Sequence, residues 1–173
     1  MRRLPGVVIG VVQDRDDPTG QGRVRLTFPW MGEQVSAWAP VAAPLAGQQR
    51  GQWFMPEVGD EALVGFEHGD FNHPFVLGYL WNGVDTPPSA EPTERVIVTP
   101  GGHELRFHDT DGSKKVVLKT SAGFCVTLDD AAKTISLETP GMISVKLDDT
   151  ASSLTLSGGG RSITLVGGQV QIA

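Results

Sequence analysis

Cysteine is nearly absent. Cys125 is the only one in 173 residues, so no internal disulfide framework holds this chain together. No apolar run approaches the roughly 18 residues that a membrane-spanning helix needs. Basic residues are scarce: 14 Lys and Arg stand against 20 Asp and Glu, for a formal net charge of -6. That balance argues against a nucleic-acid partner, because phosphate binding needs a basic face. The start, Met1-Arg2-Arg3, is positive, but the apolar stretch Val7 to Val12 is interrupted by Gly10 and is too short for a secretion signal. The expectation is a chain made and kept in the cytoplasm until something else exports it. Long helical patterns are missing as well. Other residue types stop partway along the chain: there is no tryptophan after Trp81, no histidine after His108 and no charged residue after Arg161.

What is present is glycine, at 22 residues, and proline, at 12. Short apolar runs bounded by Gly, Pro, Asp and Asn read as an all-β protein. Residues 1–88 hold all four tryptophans and five strand candidates: Val7 to Val12, Gly22 to Phe28, Val35 to Ala39, Glu61 to Phe66 and Pro74 to Leu80. Five strands joined by unequal loops suit a small barrel, of the OB or of the SH3-like kind. Residues 89–95, with Pro87 and Pro88 before them and Pro92 within, read as a stiff polar linker.

From residue 96 to 173 the pattern alternates with period two. Phe124, Val126 and Leu128 share one parity, as do Ile135 and Leu137, then Ile143, Val145 and Leu147, then Leu154 and Leu156, then Ile163 and Leu165. Period two marks strands with one buried face. The stretch Phe124 to Met142 aligns without a gap on Ile143 to Arg161, so the strands belong to a 19-residue repeat of two strands each. Asp129-Asp130, Pro140-Gly141, Asp148-Asp149 and Gly158-Gly159-Gly160 supply the turns. A single narrow stack of such strands leaves its apolar stripe wet. Three copies wrapped about one axis bury all three stripes, and the expectation is an intertwined trimeric β-helix with these twelve apolar residues as its core. A meandering sheet in a monomer is the rival, and it needs a covering layer.

Few residues carry chemistry. His68 and His73 flank Gly69-Asp70-Phe71-Asn72, a strand-to-strand loop rather than a metal site. Asp109, Asp111 and Gly112 resemble the start of a calcium loop whose later ligands are missing. Asp129-Asp130 and Asp148-Asp149 recur with the repeat, which makes them turn residues rather than catalytic carboxylates. Cys125 has no nearby histidine to act as a base. Phe28, Trp30, Trp38, Trp53 and Phe54 are assigned to barrel core and subunit contacts rather than to a base-stacking platform. No catalytic residue, metal or cofactor is expected.

One segment is more specific. Phe54-Met55-Pro56-Glu57-Val58-Gly59-Asp60-Glu61-Ala62-Leu63-Val64 leads through Phe66-Glu67-His68-Gly69-Asp70 to His73-Pro74-Phe75-Val76-Leu77-Gly78 and Leu80-Trp81-Asn82-Gly83. This resembles the OB-fold of the central spike of contractile injection machines, the group of phage baseplate assembly protein V, the phage tail spike and the VgrG proteins of type VI secretion. His73 stands where that family usually has Arg. The resemblance implies a five-stranded OB-fold barrel as a collar, followed by the needle, in a short stand-alone homotrimeric spike that sits on a separate hub protein. It implies a membrane-piercing mechanical part of a phage tail, tailocin or related particle, acting briefly on a target cell envelope. The polar loops near Asp14 to Gly20 and Gly47 to Gln52, in particular Gln48, Gln49 and Arg50, are expected to face the hub. The uncharged end Gln169, Val170, Gln171, Ile172 and Ala173 is expected to dock a PAAR-type tip protein. A nucleic-acid-binding OB-fold and a cell-wall hydrolase rank below this reading.

Overall fold

The computed structural model describes residues 4–167 and 169–172. The chain divides into two compact units, Met1–Thr86 and Pro87–Ala173. The first contains β1 (Val7–Asp14), β2 (Arg23–Phe28), β3 (Gly32–Val35), β4 (Ala39–Pro40), β5 (Ala46–Gly47), β6 (Arg50–Gly51), β7 (Glu61–Phe66) and β8 (Pro74–Leu80). The second contains β9 (Glu94–Val98), β10 (Glu104–His108), β11 (Lys115–Lys119), β12 (Cys125–Asp129), β13 (Thr134–Glu138), β14 (Ser144–Asp148), β15 (Ser153–Gly158), β16 (Arg161–Val166) and β17 (Gln169–Ile172).

In the first unit the sheet runs β3-β2-β1-β7-β8, with β4 paired to β2 off that path. The residue after β4, Val41, makes a parallel bridge to Val76 in β8, and Ala42 donates its N–H to the Val76 carbonyl. One bridge therefore links the end of the off-path β4 to β8 in place of a full ladder, so the sheet curls back on itself without closing a continuous barrel. The strand expected over Val35 to Ala39 is split into β3 and β4. Ser36 causes the break: its side chain is buried, its Oγ accepts the Leu26 N–H at 3.0 Å and donates to the Ala37 carbonyl at 2.6 Å. The ladder is carried through a side chain there.

The core of this unit is Val12, Val24, Leu26, Phe28, Ala39, Ala62, Val64, Phe66 and Val76. The Phe28 ring lies 5.5 to 5.9 Å from the rings of Trp30, Phe66 and Phe71. Gly10, the residue that interrupts the first apolar run, leaves room for it: a Cβ there would sit 3.1 Å from the Phe28 ring.

The second unit is one antiparallel sheet in sequence order, β9 through β17. Each internal strand from β10 to β16 hydrogen-bonds its sequence neighbours on both sides, within one chain. The ladder positions of these strands are thus paired inside the chain, and only β9 and β17 have a free edge. What stays unsatisfied is a face. Every fully buried apolar residue among the described ones lies in the first unit.

Candidate functional site

The register of the second sheet lines its apolar residues into two lanes. One lane is Ile97, Leu105, Leu118, Val126, Leu137, Val145, Leu156, Ile163 and Ile172, each directly opposite the next. The other is Phe107, Val116, Leu128, Ile135, Leu147, Leu154, Leu165 and Val170. Members of the two lanes alternate two apart along each strand, so both lanes share one face. Phe124 and Ile143 precede β12 and β14 with the same parity, and both are exposed. None of these side chains is buried. From Leu118 to Leu165 the exposed ones keep 40 to 57% of their surface in water. Isolated exposed apolar residues are ordinary, but a continuous stripe nine strands long in one lane and eight in the other has the character of an interaction surface.

The opposite face is mostly polar: Arg106, Val117, Thr127, Ser136, Lys146, Thr155 and Thr164 stand opposite one another in turn, and Val117 is the one apolar member of that row. Ser144 and Ser157 bond through their hydroxyls at 2.7 Å across it. Near β9 it carries an ion cluster. Glu94 accepts from Ser89 Oγ at 2.7 Å, lies 2.9 Å from His108 Nδ1 and pairs with Arg106, which also donates to Glu104 at 2.6 Å. The Ser89 hydroxyl, then Arg106 and His108, hold the Glu94 carboxyl below the usual range. This cluster ties the 89–95 stretch to the sheet.

The turns follow the repeat. Thr99, Thr120 and Thr139 each accept, through Oγ1, the N–H of the residue four places on, at 3.1 to 3.2 Å. Asp129 and Asp148 each accept, through Oδ1, the N–H of the residue three places on, at 2.7 and 2.9 Å. The acidic pairs therefore hold turns. Asp111 forms an ion pair with Lys114 across a turn at 2.9 Å. No group of three His, Cys, Asp or Glu arranged to hold a metal occurs among the described residues.

In the first unit, only Phe28 of the five aromatics assigned to core and contacts is buried. Trp30, Trp53 and Phe54 are exposed, and Trp38 is half-buried with the guanidinium of Arg25 5.1 Å from its ring centroid. Gln48 and Gln49 form the turn of the β5–β6 hairpin that Arg50 closes, with Gln49 at φ 55° and all three exposed. The loop after β1 is rigid and built on Asp17, whose carboxylate accepts from the N–H groups of Thr19, Gln21 and Arg23 and from the Arg23 guanidinium. Periodicity had no means of finding that hub. The signal present was the last of three aspartates, Asp14, Asp16 and Asp17, just before a Pro-Thr-Gly turn and six residues before an arginine. Of the segment Gln169 to Ala173, β17 is the edge strand with Val170 and Ile172 exposed, while Ala173 lies outside the described residues.

Two family profiles match. Residues 8–81 match the type VI secretion system/phage-baseplate injector OB domain, and residues 94–173 match the phage baseplate V C-terminal trimerisation domain. Among curated proteins, the chain is similar to the type VI secretion system spike protein VgrG3 of Vibrio cholerae, 36% identical over 110 residues, covering 56% of this chain and 11% of that protein. It is similar to the actin cross-linking toxin VgrG1 of Vibrio cholerae, 34% identical over 116 residues, covering 60% of this chain and 11% of that protein. A third relative is the type VI secretion system spike protein VgrG2a of Pseudomonas aeruginosa, 30% identical over 115 residues, covering 59% of this chain and 14% of that protein. The chain thus spans only about a ninth to a seventh of the length of these relatives. With an injector OB domain followed by a baseplate V trimerisation domain, the chain belongs to the family of phage baseplate V and VgrG-type spike proteins.

Proposed function

We propose that three copies of this chain form the central spike of a contractile injection machine, with the apolar face of residues 94–173 turned toward a shared axis. The observation that carries this reading is the two-lane face itself. Its internal strands, β10 to β16, are hydrogen-bonded on both sides within the chain, yet its leucines and isoleucines are left half in water. Each such side chain still gains about 1 kcal/mol when a partner covers it. Three identical faces about one axis cover one another, and the trimerisation-domain match supports that number. The trimer core then comprises Phe124, Val126, Leu128, Ile135, Leu137, Ile143, Val145, Leu147, Leu154, Leu156, Ile163 and Leu165.

The role is mechanical. Sheath contraction drives a needle through an envelope, and a needle needs stiffness along its axis. A continuous ladder with a dry core supplies it, and the chain contributes no catalysis of its own. The name of one relative, an actin cross-linking toxin, describes a protein of which the matched stretch is a small part. On this reading the Gln48–Arg50 turn faces a hub protein and β17 receives a PAAR-type tip protein. The chain is made in the cytoplasm and then built into the particle.

The test is oligomeric mass by light scattering for the wild type, Val145→Asp and Ser136→Asp. Val145 lies in an apolar lane and Ser136 on the polar face, beside Lys146. A trimer for the wild type and Ser136→Asp, with loss of trimer for Val145→Asp, is the expected result. A trimer that survives Val145→Asp would place the axis on the other face.

A further inference from the structure

We propose that the two turn rows of the second sheet form complementary halves of a copy-to-copy joint, in which Arg161 of one copy pairs with Asp149 of the next. This rests on the trimer reading above and goes beyond it by naming how the copies meet at the corners.

The meander puts its turns in two rows on opposite edges. One row comprises residues 99–103, 120–124, 139–143 and 158–160, and it contains no Asp, Glu, Lys or Arg. The other comprises residues 109–114, 129–133 and 148–152, and it is rich in aspartate. In a three-fold ring the contact is heterologous, so one edge of each copy meets the other edge of its neighbour. Neutral turns therefore face acidic turns at every corner. Two like-charged edges never meet.

Within the acidic row the carboxylates are not equivalent. Asp148 is engaged by the Ala151 N–H and by Lys146 Nζ, and Asp129 by the Ala132 N–H. Asp130 and Asp149 give their own N–H groups to the Lys114 and Lys133 carbonyls, and neither carboxylate has a hydrogen-bond partner among the described residues; of the two, Asp149 is the one nearer β16 along the sheet. On the neutral edge, Arg161 opens β16 opposite Gly158. It shares parity with Ile163 and Leu165, so it lies on the apolar side. It is exposed, and no carboxylate among the described residues forms an ion pair with it. A cation on the side that assembly covers needs an anion from the neighbouring copy, since an unpaired charge at a covered joint is costly. Asp149 aligns with β14, because it continues the β13–β14 pairing. Arg161 therefore lies two strand spacings away along the axis, about 9.6 Å. An extended arginine spans most of that distance and the aspartate arm the rest.

The experiment is subunit exchange between two differently tagged trimers of the full chain, followed over time. The variants are Arg161→Glu, Arg161→Gln, Asp149→Arg and the double reversal Arg161→Glu with Asp149→Arg. Each reversal acts at three joints, and an exposed pair is worth about a factor of two to five. Exchange should therefore be on the order of tenfold faster for the single reversals, less so for Arg161→Gln, and within about twofold of wild type for the double reversal. High salt should remove the difference between single and double variants. A double reversal that exchanges as fast as the product of the two single effects overturns the joint, as does a pair of single reversals without effect. A wild type that is monomeric by light scattering overturns the trimer reading together with the joint. A trimeric wild type without coupling overturns the joint alone.

Discussion

At Ser36 a side chain takes the place of main chain. Its Oγ is the acceptor for the Leu26 N–H, and both residues are buried. Ser36→Ala leaves that N–H dry and unpaired, and should cost the first unit about 1 to 3 kcal/mol, read by denaturant unfolding followed by tryptophan fluorescence. An unchanged midpoint would mean that the ladder closes without the hydroxyl. Met142 is a second such residue. It sits at φ 59° in the turn where Gly102 and Gly123, at φ 78° and 90°, hold the same place after Thr99 and Thr120. A non-glycine residue in the left-handed region is strained by about 1–2 kcal/mol, partly offset by the greater freedom glycine brings to the unfolded chain. Met142→Gly should therefore stabilise the second unit by about 0.5 kcal/mol per copy. A lower melting temperature for Met142→Gly would show that this exposed side chain is held by a contact between copies. Neither residue was legible in advance. Ser36 and Met142 lie in ordinary-looking stretches, and a side-chain hydrogen bond or a positive φ leaves no periodic trace.

Elements were more legible than residues. Alternating parity located β12 through β16, because a strand with one apolar face repeats every two residues whatever its neighbours do. The loop between β1 and β2 looked like a plain polar turn and is instead clamped by Asp17. The Arg23 guanidinium, with the backbone N–H groups of Thr19 and Arg23, holds the Asp17 carboxyl far below the usual aspartate range. The folded pKa lies below the unfolded one, so its contribution is present above the ordinary Asp range near 3.9 and is lost only as pH falls through the depressed value. The amides of Thr19, Gln21 and Arg23 should thus stay protected from hydrogen exchange down to about pH 3, and Asp17→Asn should expose them at neutral pH. Loss of protection between pH 5 and 3 in the wild type would show that the clamp opens with an ordinary carboxylate. Aspartates in turns are common, and Asp14 and Asp16 stand beside this one. Only the folded chain shows that six donor–acceptor contacts converge on this one.

For the whole molecule, the trimer reading makes folding of the second unit inseparable from association, because its apolar face has no cover within its own sheet. Its melting temperature should rise with protein concentration, whereas the first unit, which has its own buried core, should melt independently of it. All four tryptophans lie before residue 87, so their fluorescence follows the first unit while far-ultraviolet circular dichroism follows both. A hundredfold dilution should lower only the second transition. Two transitions that both ignore concentration would mean that the sheet is stable uncovered.

The sequence by itself determined that the chain is β throughout, that it changes character after about residue 88, and which residues of 96–173 share a face. Each of these is local: strand propensity, turn chemistry and a period of two are written in neighbouring residues. The motif around Pro56 to Gly83 placed the first half as an OB-type unit, because that run of turn glycines and strand residues is itself a local pattern. Tertiary structure decided the rest. It decided that the strands from β10 to β16 are paired on both edges within the chain, which leaves an apolar face uncovered and not a ladder incomplete. It decided that Trp53 and Phe54 stay outside the core, and that the residue after β4 reaches β8 by one bridge. Register and side-chain reach couple residues far apart in sequence, such as Arg15 and Pro56 or Val41 and Val76, and no local period encodes those distances.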